Sequence, residues 1–332
     1  MSAIDNIFIP YPLQLKSALF EKIWGGSAIS ELKQQAADSL HIGESWEIYS
    51  KNYISHGAYA GLTLEDVIQQ YPSEMIGYNH KNGEFPLLVK LLDAREWLSV
   101  QVHPDDILAD VLEEEPRGKT ECWYILKAEP DAEIIFGLKN GITKQQYQYA
   151  LNSGNDIELL HKVKVQKGDF IFVPAGTIHA IGPGIVLYEL QQTSDTTYRL
   201  YDWDRLGIDG NPRELHIEKG IISMIEYASN SAKVEINPIV LKPGIIKTEL
   251  ISSQYFCLTR FSIEHAHIEC SLQNKAGLIT VIGDESLILH TNQGEYIITS
   301  GYSAFVPAAM KSIVCSNNSA KKTEFLFAQQ NI

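Results

Sequence analysis

The chain has 332 residues, of which 45% are hydrophobic and 20% are charged, and its formal net charge is −14. This length suffices for two domains with separate cores, and the composition is that of a globular protein. The negative charge argues against nucleic-acid binding and repels small anions at long range, so an anionic ligand would need cations placed inside its own site.

The chain shows no membrane or export signal. It has no run of eighteen apolar residues, and its first residues lack the basic and then apolar layout of a signal peptide. We therefore expect a cytoplasmic protein without a membrane partner. No C-x-x-C spacing occurs, so the four cysteines are expected to be reduced and mostly buried thiols: Cys122, Cys257, Cys270 and Cys315.

The first ninety residues predict strands with one short helix. Residues 7–24 are expected to be an extended entry followed by a strand that Gly25 and Gly26 break. In the strand predicted at 43–49, Glu44 and Glu47 lie on opposite faces, so only one of these acids can face a cleft. A short helix is predicted to begin within residues 62–68, with Thr63 as its N-cap. The apolar run 85–93 indicates a strand buried on both faces.

Further short elements follow in chain order. Strands at 121–126 and 132–137 are expected to pair as a hairpin across residues 129–131. Thr143 is a plausible N-cap for a helix that reaches Leu151. Strands are predicted at 170–173, 185–192 and 198–205, and a helix at 215–225.

The chain contains a weak internal repeat. The stretch from Gly168 to Ala175 aligns with that from Gly301 to Ala308 at a constant offset of 133 residues, and at this offset His179 falls on Ser312. Short strands with turn residues every eight to twelve positions separate the two copies. The predicted fold is mainly β, with two jelly-roll sandwich domains and a few short helices: a catalytic domain over 1–230 and a degenerate domain without metal over 235–332.

Alternation over residues 98–103 places Gln101 and His103 on one face of a strand. Glu121 and His179 could add a carboxylate and a second imidazole, which together make a plausible zinc site. Because glutamine is a rare ligand, Gln101 could instead hydrogen-bond to a ligand. Asp105 and Asp106 are more simply explained as helix caps.

Lys119 and Arg199 are the cations to consider for an anionic substrate, together with Lys127. Lys119 lies two residues before Glu121 and is either a solvated lysine or a cation beside the metal. Arg199 lies among aromatic and apolar residues and needs an anionic partner. Asp202 or Asp204 could be that partner, so a structural ion pair and a catalytic role are both open.

At these residues the chain resembles the type I phosphomannose isomerases, in particular the short bacterial mannose-6-phosphate isomerases of the cupin superfamily. The motifs are Q-V-H-P-D-D at 101–106, G-K-T-E at 118–121, V-P-A-G-T-I-H-A at 173–180 and E-L-Q-Q-T-S-D-T-T-Y-R at 189–199. The resemblance implies one zinc ion per chain, bound by Gln101, His103, Glu121 and His179, with Lys119 and Arg199 as active-site cations. This sequence has G-K-T-E where longer members have H-K-P-E, and it lacks most of their helical insertion.

The resemblance implies a zinc-dependent aldose–ketose isomerase that interconverts D-mannose 6-phosphate and D-fructose 6-phosphate through an enediolate. Arg199 is expected to stabilise charge or assist proton transfer, and Lys119 to bind a substrate oxygen or the phosphate. The base is expected to be Glu189, Glu44 or Glu47, with Glu44 also a substrate-binding candidate. The alternatives are a non-catalytic sugar-phosphate sensor and another metal-dependent cupin enzyme. We expect a small sugar phosphate as partner and a monomer or weak homo-oligomer.

Overall fold

The computed structural model describes residues 7–35, 41–77, 85–226 and 232–331. Within these ranges the chain forms twenty-two β-strands and six α-helices, which confirms the predicted mainly β fold. The helices are α1 (Ala28–Leu32), α2 (Leu64–Gln70), α3 (Pro72–Ile76), α4 (Asp106–Glu113), α5 (Lys144–Ser153) and α6 (Ile217–Ser223). In the described chain, each of these helices is too short or too polar to cross a lipid bilayer.

The strands are β1 (Leu13–Gln14), β2 (Ala18–Gly26), β3 (Ile42–Ile48), β4 (Leu87–Ala94), β5 (Val100–Val102), β6 (Glu121–Ala128), β7 (Glu133–Leu138), β8 (Leu160–Lys164), β9 (Phe170–Val173), β10 (His179–Ile181), β11 (Ile185–Gln192), β12 (Tyr198–Tyr201), β13 (Pro238–Lys242), β14 (Ile245–Ser252), β15 (Phe256–Ile263), β16 (Ala266–Ser271), β17 (Gly277–Val281), β18 (Leu287–Thr291), β19 (Gly294–Ile298), β20 (Ser303–Val306), β21 (Ser312–Asn317) and β22 (Thr323–Gln330).

The chain divides into two compact units. The cleft unit comprises Leu19–Ser45 and Leu88–Glu235, and the C-terminal unit comprises Met1–Ala18, Trp46–Leu87 and Ile236–Ile332. Of the domain boundary predicted near residues 228–238, residues 228–231 lie outside the described residues. The division into a catalytic domain over 1–230 and a second domain over 235–332 stays a prediction.

The cleft unit is built on two antiparallel sheets. One sheet has the order β2-β3-β4-β11-β6-β9, with the end of β3 falling in the other unit, and the second has the order β12-β5-β10-β7-β8. Apolar side chains of both sheets pack together, among them Leu92, Trp123 and Ile134. Tyr147 of α5 and Ile221 of α6 cover the other face of the five-stranded sheet, which leaves the sandwich interior for the site.

The C-terminal unit repeats this strand order. Its larger sheet runs β1-β20-β17-β22-β15-β14-β13, and its smaller sheet runs β16-β21-β18-β19. Read from the opposite edge, β13-β14-β15-β22-β17-β20 corresponds strand for strand to β2-β3-β4-β11-β6-β9. In the same way β16-β21-β18-β19 corresponds to β5-β10-β7-β8. Both units are therefore two-sheet sandwiches of one topology, as the jelly-roll prediction requires.

The offset of 133 residues holds in three dimensions. Strand β9 begins and ends 133 residues before β20, and His179 and Ser312 each begin the strand that follows. The turn glycines before β9 and β20 both have positive φ, 92° for Gly168 and 76° for Gly301. The sequence repeat therefore marks a repeated piece of structure.

Several local predictions are confirmed. Thr63 and Thr143 each form a capping box at the start of α2 and α5, and Asp105 caps α4 by accepting from the backbone N–H of Leu108. Strand β4 is buried along its whole length. Each of these features depends on residues close together in the chain.

The prediction that Gly25 and Gly26 break the first strand is wrong, because β2 continues through both residues. A Cβ on Gly25 would lie 2.4 Å from the backbone nitrogen of Gly43 and from the carbonyl oxygen of His41. Glycine is therefore required there by the close approach of the neighbouring backbone, and it marks no turn.

The predicted hairpin of residues 121–126 and 132–137 is also wrong. Strand β6 pairs with β11 and β9, whereas β7 pairs with β10 and β8 in the other sheet. The short connection at 129–132 therefore crosses between sheets, because both edges of β6 are occupied by other strands. Strand β12 ends at Tyr201, four residues before the predicted end.

Candidate active site

Strand pairing brings three of the predicted residues side by side. Gln101 on β5 lies opposite His179 of β10 on one side and opposite Arg199 of β12 on the other. Residues that pair across antiparallel strands point to the same face of the sheet. Gln101 therefore stands between the second imidazole and the arginine.

Three buried side chains converge next to Gln101. The ligand atoms of His103, Glu121 and His179 all lie within 4.8 Å of one another. His103 Nε2 is 3.6 Å from Glu121 Oε2, and His179 Nε2 is 3.4 Å from Glu121 Oε1. We call these residues the triad, and each of them is at most 1% exposed.

Backbone carbonyls fix the orientation of both imidazoles. His103 Nδ1 lies 3.0 Å from the carbonyl oxygen of Thr196, and His179 Nδ1 lies 2.9 Å from that of Thr177. An Nδ1–H that donates to a carbonyl leaves the lone pair of Nε2 directed at the carboxylate, as in protein metal sites.

Burial keeps the two imidazoles neutral. Burial, with the nearby Lys119 ammonium, lowers the pKa of His103 well below its usual value. Burial also lowers the pKa of His179 to about 4. Neutral imidazole is the form that binds metal ions.

The triad fits a divalent metal ion. Among the described residues, neither oxygen of Glu121 accepts a hydrogen bond of good geometry, although both are buried. Lys119 supplies one positive charge beside this carboxylate, and a cation between it and the two imidazoles would also give Oε1 and both Nε2 atoms a partner. The Gln101 amide lies beside the triad, with Nε2 3.2 Å from His179 Nε2, while its Oε1 accepts from the hydroxyl of Ser99 at 3.3 Å.

Lys119 is buried beside the triad, so its description as a solvated lysine is wrong. Its Nζ is 3.0 Å from Glu121 Oε2 and 3.2 Å from His103 Nε2. Burial opposes its charge, but the carboxylates of Glu121 and Glu189 outweigh burial and raise the pKa of Lys119. The lysine is therefore a fixed positive charge beside the triad.

A row of alternating charges crosses the six-stranded sheet towards the triad. Lys22 of β2 pairs with Glu44 of β3 at 3.1 Å, Glu44 with Lys90 of β4 at 3.7 Å, and Lys90 with Glu189 of β11 at 3.7 Å. We call these four residues the charge row. Its members become more buried along the row, since the side chain of Lys22 is 34% exposed and that of Glu189 is 4% exposed.

Glu189 is held at the inner end of the charge row. Its Oε2 accepts a hydrogen bond of 3.0 Å from the indole N–H of Trp123. Burial and the nearby Glu121 carboxylate raise the pKa of Glu189, while Lys119 and Lys90 oppose that rise. A buried carboxyl with a raised pKa is the kind of group that can exchange protons near neutral pH.

The sequence analysis did not identify Lys90 or Lys22. A signal for Lys90 was present, because a lysine in the mostly apolar and buried strand β4 needs a carboxylate partner. The two acids of β3 separate as predicted, since Glu44 joins the charge row and Glu47 accepts from the Ser17 hydroxyl.

Arg199 does not form the ion pairs that were considered for it. Asp202 binds Arg205 at 3.0 Å and also Arg213, and Asp204 accepts from the Tyr201 hydroxyl. The Arg199 guanidinium donates to the backbone carbonyl of Glu214 at 2.8 Å, and within the described chain its buried Nε has no partner.

A carbonyl does not neutralise the Arg199 guanidinium. Its charge is therefore left for an anionic or strongly polar ligand beside Gln101. Lys127, in contrast, is at the end of β6 farthest from Glu121 and lines a different depression with Asp93 and Glu129.

Comparison with known proteins identifies relatives of the chain. Residues 13–131 match the family model described as phosphomannose isomerase type I, catalytic domain. Mannose-6-phosphate isomerase ManA of Bacillus subtilis is 39% identical over 290 residues, which cover 86% of this chain and 89% of that protein. A mannose-6-phosphate isomerase of Streptococcus mutans is 37% identical over 309 residues, covering 91% and 94%. The crystal structure of the mannose 6-phosphate isomerase from Bacillus subtilis matches with a TM-score of 0.85 at 32% identity, covering 96% and 99%.

Proposed function

The chain belongs to the type I phosphomannose isomerases, and from that premise we propose that it interconverts D-mannose 6-phosphate and D-fructose 6-phosphate. It is an aldose–ketose isomerase of this family. The observation that carries the proposal is the triad, with the buried carboxylate of Glu121 between two oriented imidazoles and a lysine 3.0 Å away. An external oxidant or reductant is not required, because isomerisation moves one proton from C2 to C1 and one hydroxyl proton from O2 to O1, so that the oxidation of C2 balances the reduction of C1.

We propose zinc as the metal, one ion per chain, held by His103, Glu121 and His179 with Gln101 as the fourth ligand. Nitrogen and oxygen donors in this number suit zinc, and a glutamine ligand requires its amide oxygen to face the ion. When bound, the ion acts as a Lewis acid that stabilises negative charge on the substrate oxygens. The carbonyls of Thr196 and Thr177 keep both imidazoles in the binding orientation.

Glu189 is our proposed base. The reaction removes the proton α to a carbonyl and returns it to the adjacent carbon through an enediolate, which one carboxylate can accomplish. Support comes from its burial, its raised pKa and the Trp123 hydrogen bond that holds it towards the cleft. Lys90 at 3.7 Å stabilises the ionised form that takes the proton.

The remaining roles follow from charge and position. We propose that Lys119 and Arg199 bind the anionic or developing oxygen atoms of the substrate, because both carry positive charge beside Gln101 or the triad. Glu44, fixed between Lys22 and Lys90, is proposed to accept hydrogen bonds from substrate hydroxyls. These cations answer the need for local positive charge in a chain of net charge −14.

Two other functions make different demands on the same residues. Two histidines and one carboxylate are also the ligands of iron oxygenases, so another cupin chemistry would use the triad with iron. A sugar-phosphate sensor would need Lys119 and Arg199 but no base such as Glu189. The position of Glu189 at the end of the charge row favours the isomerase.

The test is a coupled assay of mannose 6-phosphate conversion under anaerobic conditions, after chelation and after restoration with zinc, manganese or iron. We expect activity to disappear with the chelator and to return best with one zinc per chain by elemental analysis. Arg199→Ala should lower kcat/KM by about 10²–10³, as loss of a charge-stabilising donor does, whereas the exposed control Arg95→Ala should be unaffected. A folded, zinc-loaded protein without turnover would contradict the isomerase assignment.

A further inference from the structure

A groove of about 650 Å³ opens on the C-terminal unit, within the size range of small-molecule sites. Strands β14, β15, β16 and β22 contribute most of its lining. The groove lies wholly in residues 241–329, apart from the triad and the charge row.

The repeated strand order relates this groove to the site of the other unit. Gln101 and His179 pair on the sheet face that carries the core residue Ile181, and on β16 and β21 the core-facing pair is Cys270 and Ile313, one residue beyond the offset of 133. Cys270 therefore takes the place of Gln101, and the core residue Leu272, two residues on, takes the place of His103. Cys270 lines the groove beside Ser271 and Gln273.

The equivalent of the third triad member follows from the same register. Glu121 pairs with Val173 of β9, and Gly277 pairs with Val306 of β20, 133 residues later. Gly277 therefore takes the place of Glu121, and Ile313 takes the place of His179. The four residues at these positions, Cys270, Leu272, Gly277 and Ile313, are buried, and they do not make a zinc site.

The charge row has an equivalent as well. Glu249 of β14 pairs with Thr259 of β15, and Thr259 pairs with Phe327 of β22. By sheet order these strands correspond to β3, β4 and β11, which carry Glu44, Lys90 and Glu189. All three residues of this second row line the groove. The groove thus keeps the wall that corresponds to the charge row, whereas buried core residues fill the positions of the metal ligands.

We propose that this groove binds a neutral hexose without converting it. Thr259, Ser271 and Gln273 offer hydroxyl and amide groups for sugar hydroxyls. The choice of a hexose rests on the proposed function of the cleft from which the groove is duplicated.

Charge selects a sugar without phosphate. The lining contains one cation, Lys247, and two carboxylates, Glu249 and Glu269. Lys247 Nζ is already 2.6 Å from Glu249 Oε1, so its charge is balanced within the groove. A phosphate group would therefore meet net negative charge, whereas an uncharged pyranose would not.

Cys257 gives a local readout of occupancy. It lines the groove and is half-buried, while the three other cysteines are buried. Burial raises the pKa of the Cys257 thiol, so alkylation is slow and best followed at mildly alkaline pH. A sugar seated on β15 would shield this sulfur from a small alkylating reagent.

The experiment measures iodoacetamide labelling of Cys257 by mass spectrometry in the full-length, chelator-treated protein, with D-mannose or inorganic phosphate added. At a D-mannose concentration ten times Kd, labelling should slow about tenfold, because only the unoccupied fraction reacts. Phosphate should give no protection. Ser271→Trp places a large side chain in the groove and should abolish protection by mannose. The control is His267→Trp, at another exposed position of β16, and this variant should retain the protection.

Three results would overturn the proposal: no protection by saturating D-mannose, protection by phosphate instead, or equal protection in Ser271→Trp. The mannose 6-phosphate assay is run on the same preparation with zinc restored. A protein that isomerises but shows no protection refutes the groove alone, and one that is protected but inactive refutes the proposed function alone.

Discussion

Removal of the charge of Lys90 should strongly lower the free energy of unfolding. Its ammonium is buried between Glu44 and Glu189, 3.7 Å from each. At an effective dielectric constant of about 20, each pair at this separation contributes about 4–5 kcal/mol of Coulomb energy, which the desolvation of the ions largely offsets. Removing one partner of a buried pair leaves the other charge unbalanced and typically costs about 3–5 kcal/mol.

We therefore expect Lys90→Met to lower the free energy of unfolding by about 3–5 kcal/mol, measured by urea denaturation of the chelator-treated protein with tryptophan fluorescence. Glu189→Gln removes one of the unbalanced carboxylates and keeps an acceptor for the Trp123 N–H. The double variant should consequently be less destabilised than the sum of the two single variants, with a coupling of about 1–3 kcal/mol.

Lys22→Met is the matched control, because it removes the same functional group at the more exposed end of the charge row. Exposed ion pairs contribute at most about 1 kcal/mol, so this variant should be close to wild type. The charge row does not act as a buried electrostatic unit if Lys90→Met lowers the free energy of unfolding no more than Lys22→Met does. The same conclusion follows if the effects of Lys90→Met and Glu189→Gln are additive in the double variant.

Three further predictions follow from the geometry. Glu121→Gln should weaken zinc binding at least about a hundredfold in a chelator competition, and unchanged affinity would remove Glu121 from the metal site. Because the pKa of Glu189 is raised in the fold, its ionisation destabilises the native state as pH rises through that pKa. The difference in Tm between metal-free Glu189→Gln and metal-free wild type should accordingly increase with rising pH and then level off. An increase of this difference towards acid pH would contradict the prediction. Gly25→Ala, whose Cβ would lie 2.4 Å from backbone atoms, should cost about 1–3 kcal/mol or more in urea denaturation, and a neutral effect would disprove the close approach.

Local patterns predicted part of the arrangement around the triad. Gln101 and His103 were recognisable because alternation along one strand fixes their shared face, and the caps at Thr63 and Thr143 depend on residues three positions away. Glu121 and His179 were candidates by residue type and position, and the resemblance supported them. Their convergence could not be derived locally, since strand pairing over nearly eighty residues, as between Gln101 and His179, leaves no local mark.

The missed features all depend on which strands become neighbours. The connection after β6 reads as a hairpin turn, yet β9 and β11 occupy both edges of β6, which residues 129–131 alone do not reveal. Likewise, the sequence shows Lys90 as an isolated lysine, and only the neighbouring strands β3 and β11 place a carboxylate on each side of it. Its role is a property of the sheet order, and only its need for a partner was visible in the sequence.

The duplicated topology separates what the fold supplies from what the side chains supply. Both units place equivalent positions on equivalent strands, so the presence of a cleft cannot by itself explain catalysis. Glu121 corresponds to Gly277, and Lys90 lies on the strand that corresponds to that of Thr259. Placing metal ligands in the C-terminal groove would still leave it without the buried cations that balance Glu121 and Glu189. Under the proposed mechanism, isomerase chemistry needs the triad and the charge row together, because each carboxylate that reacts or binds metal then has a neighbouring lysine that favours its ionised form.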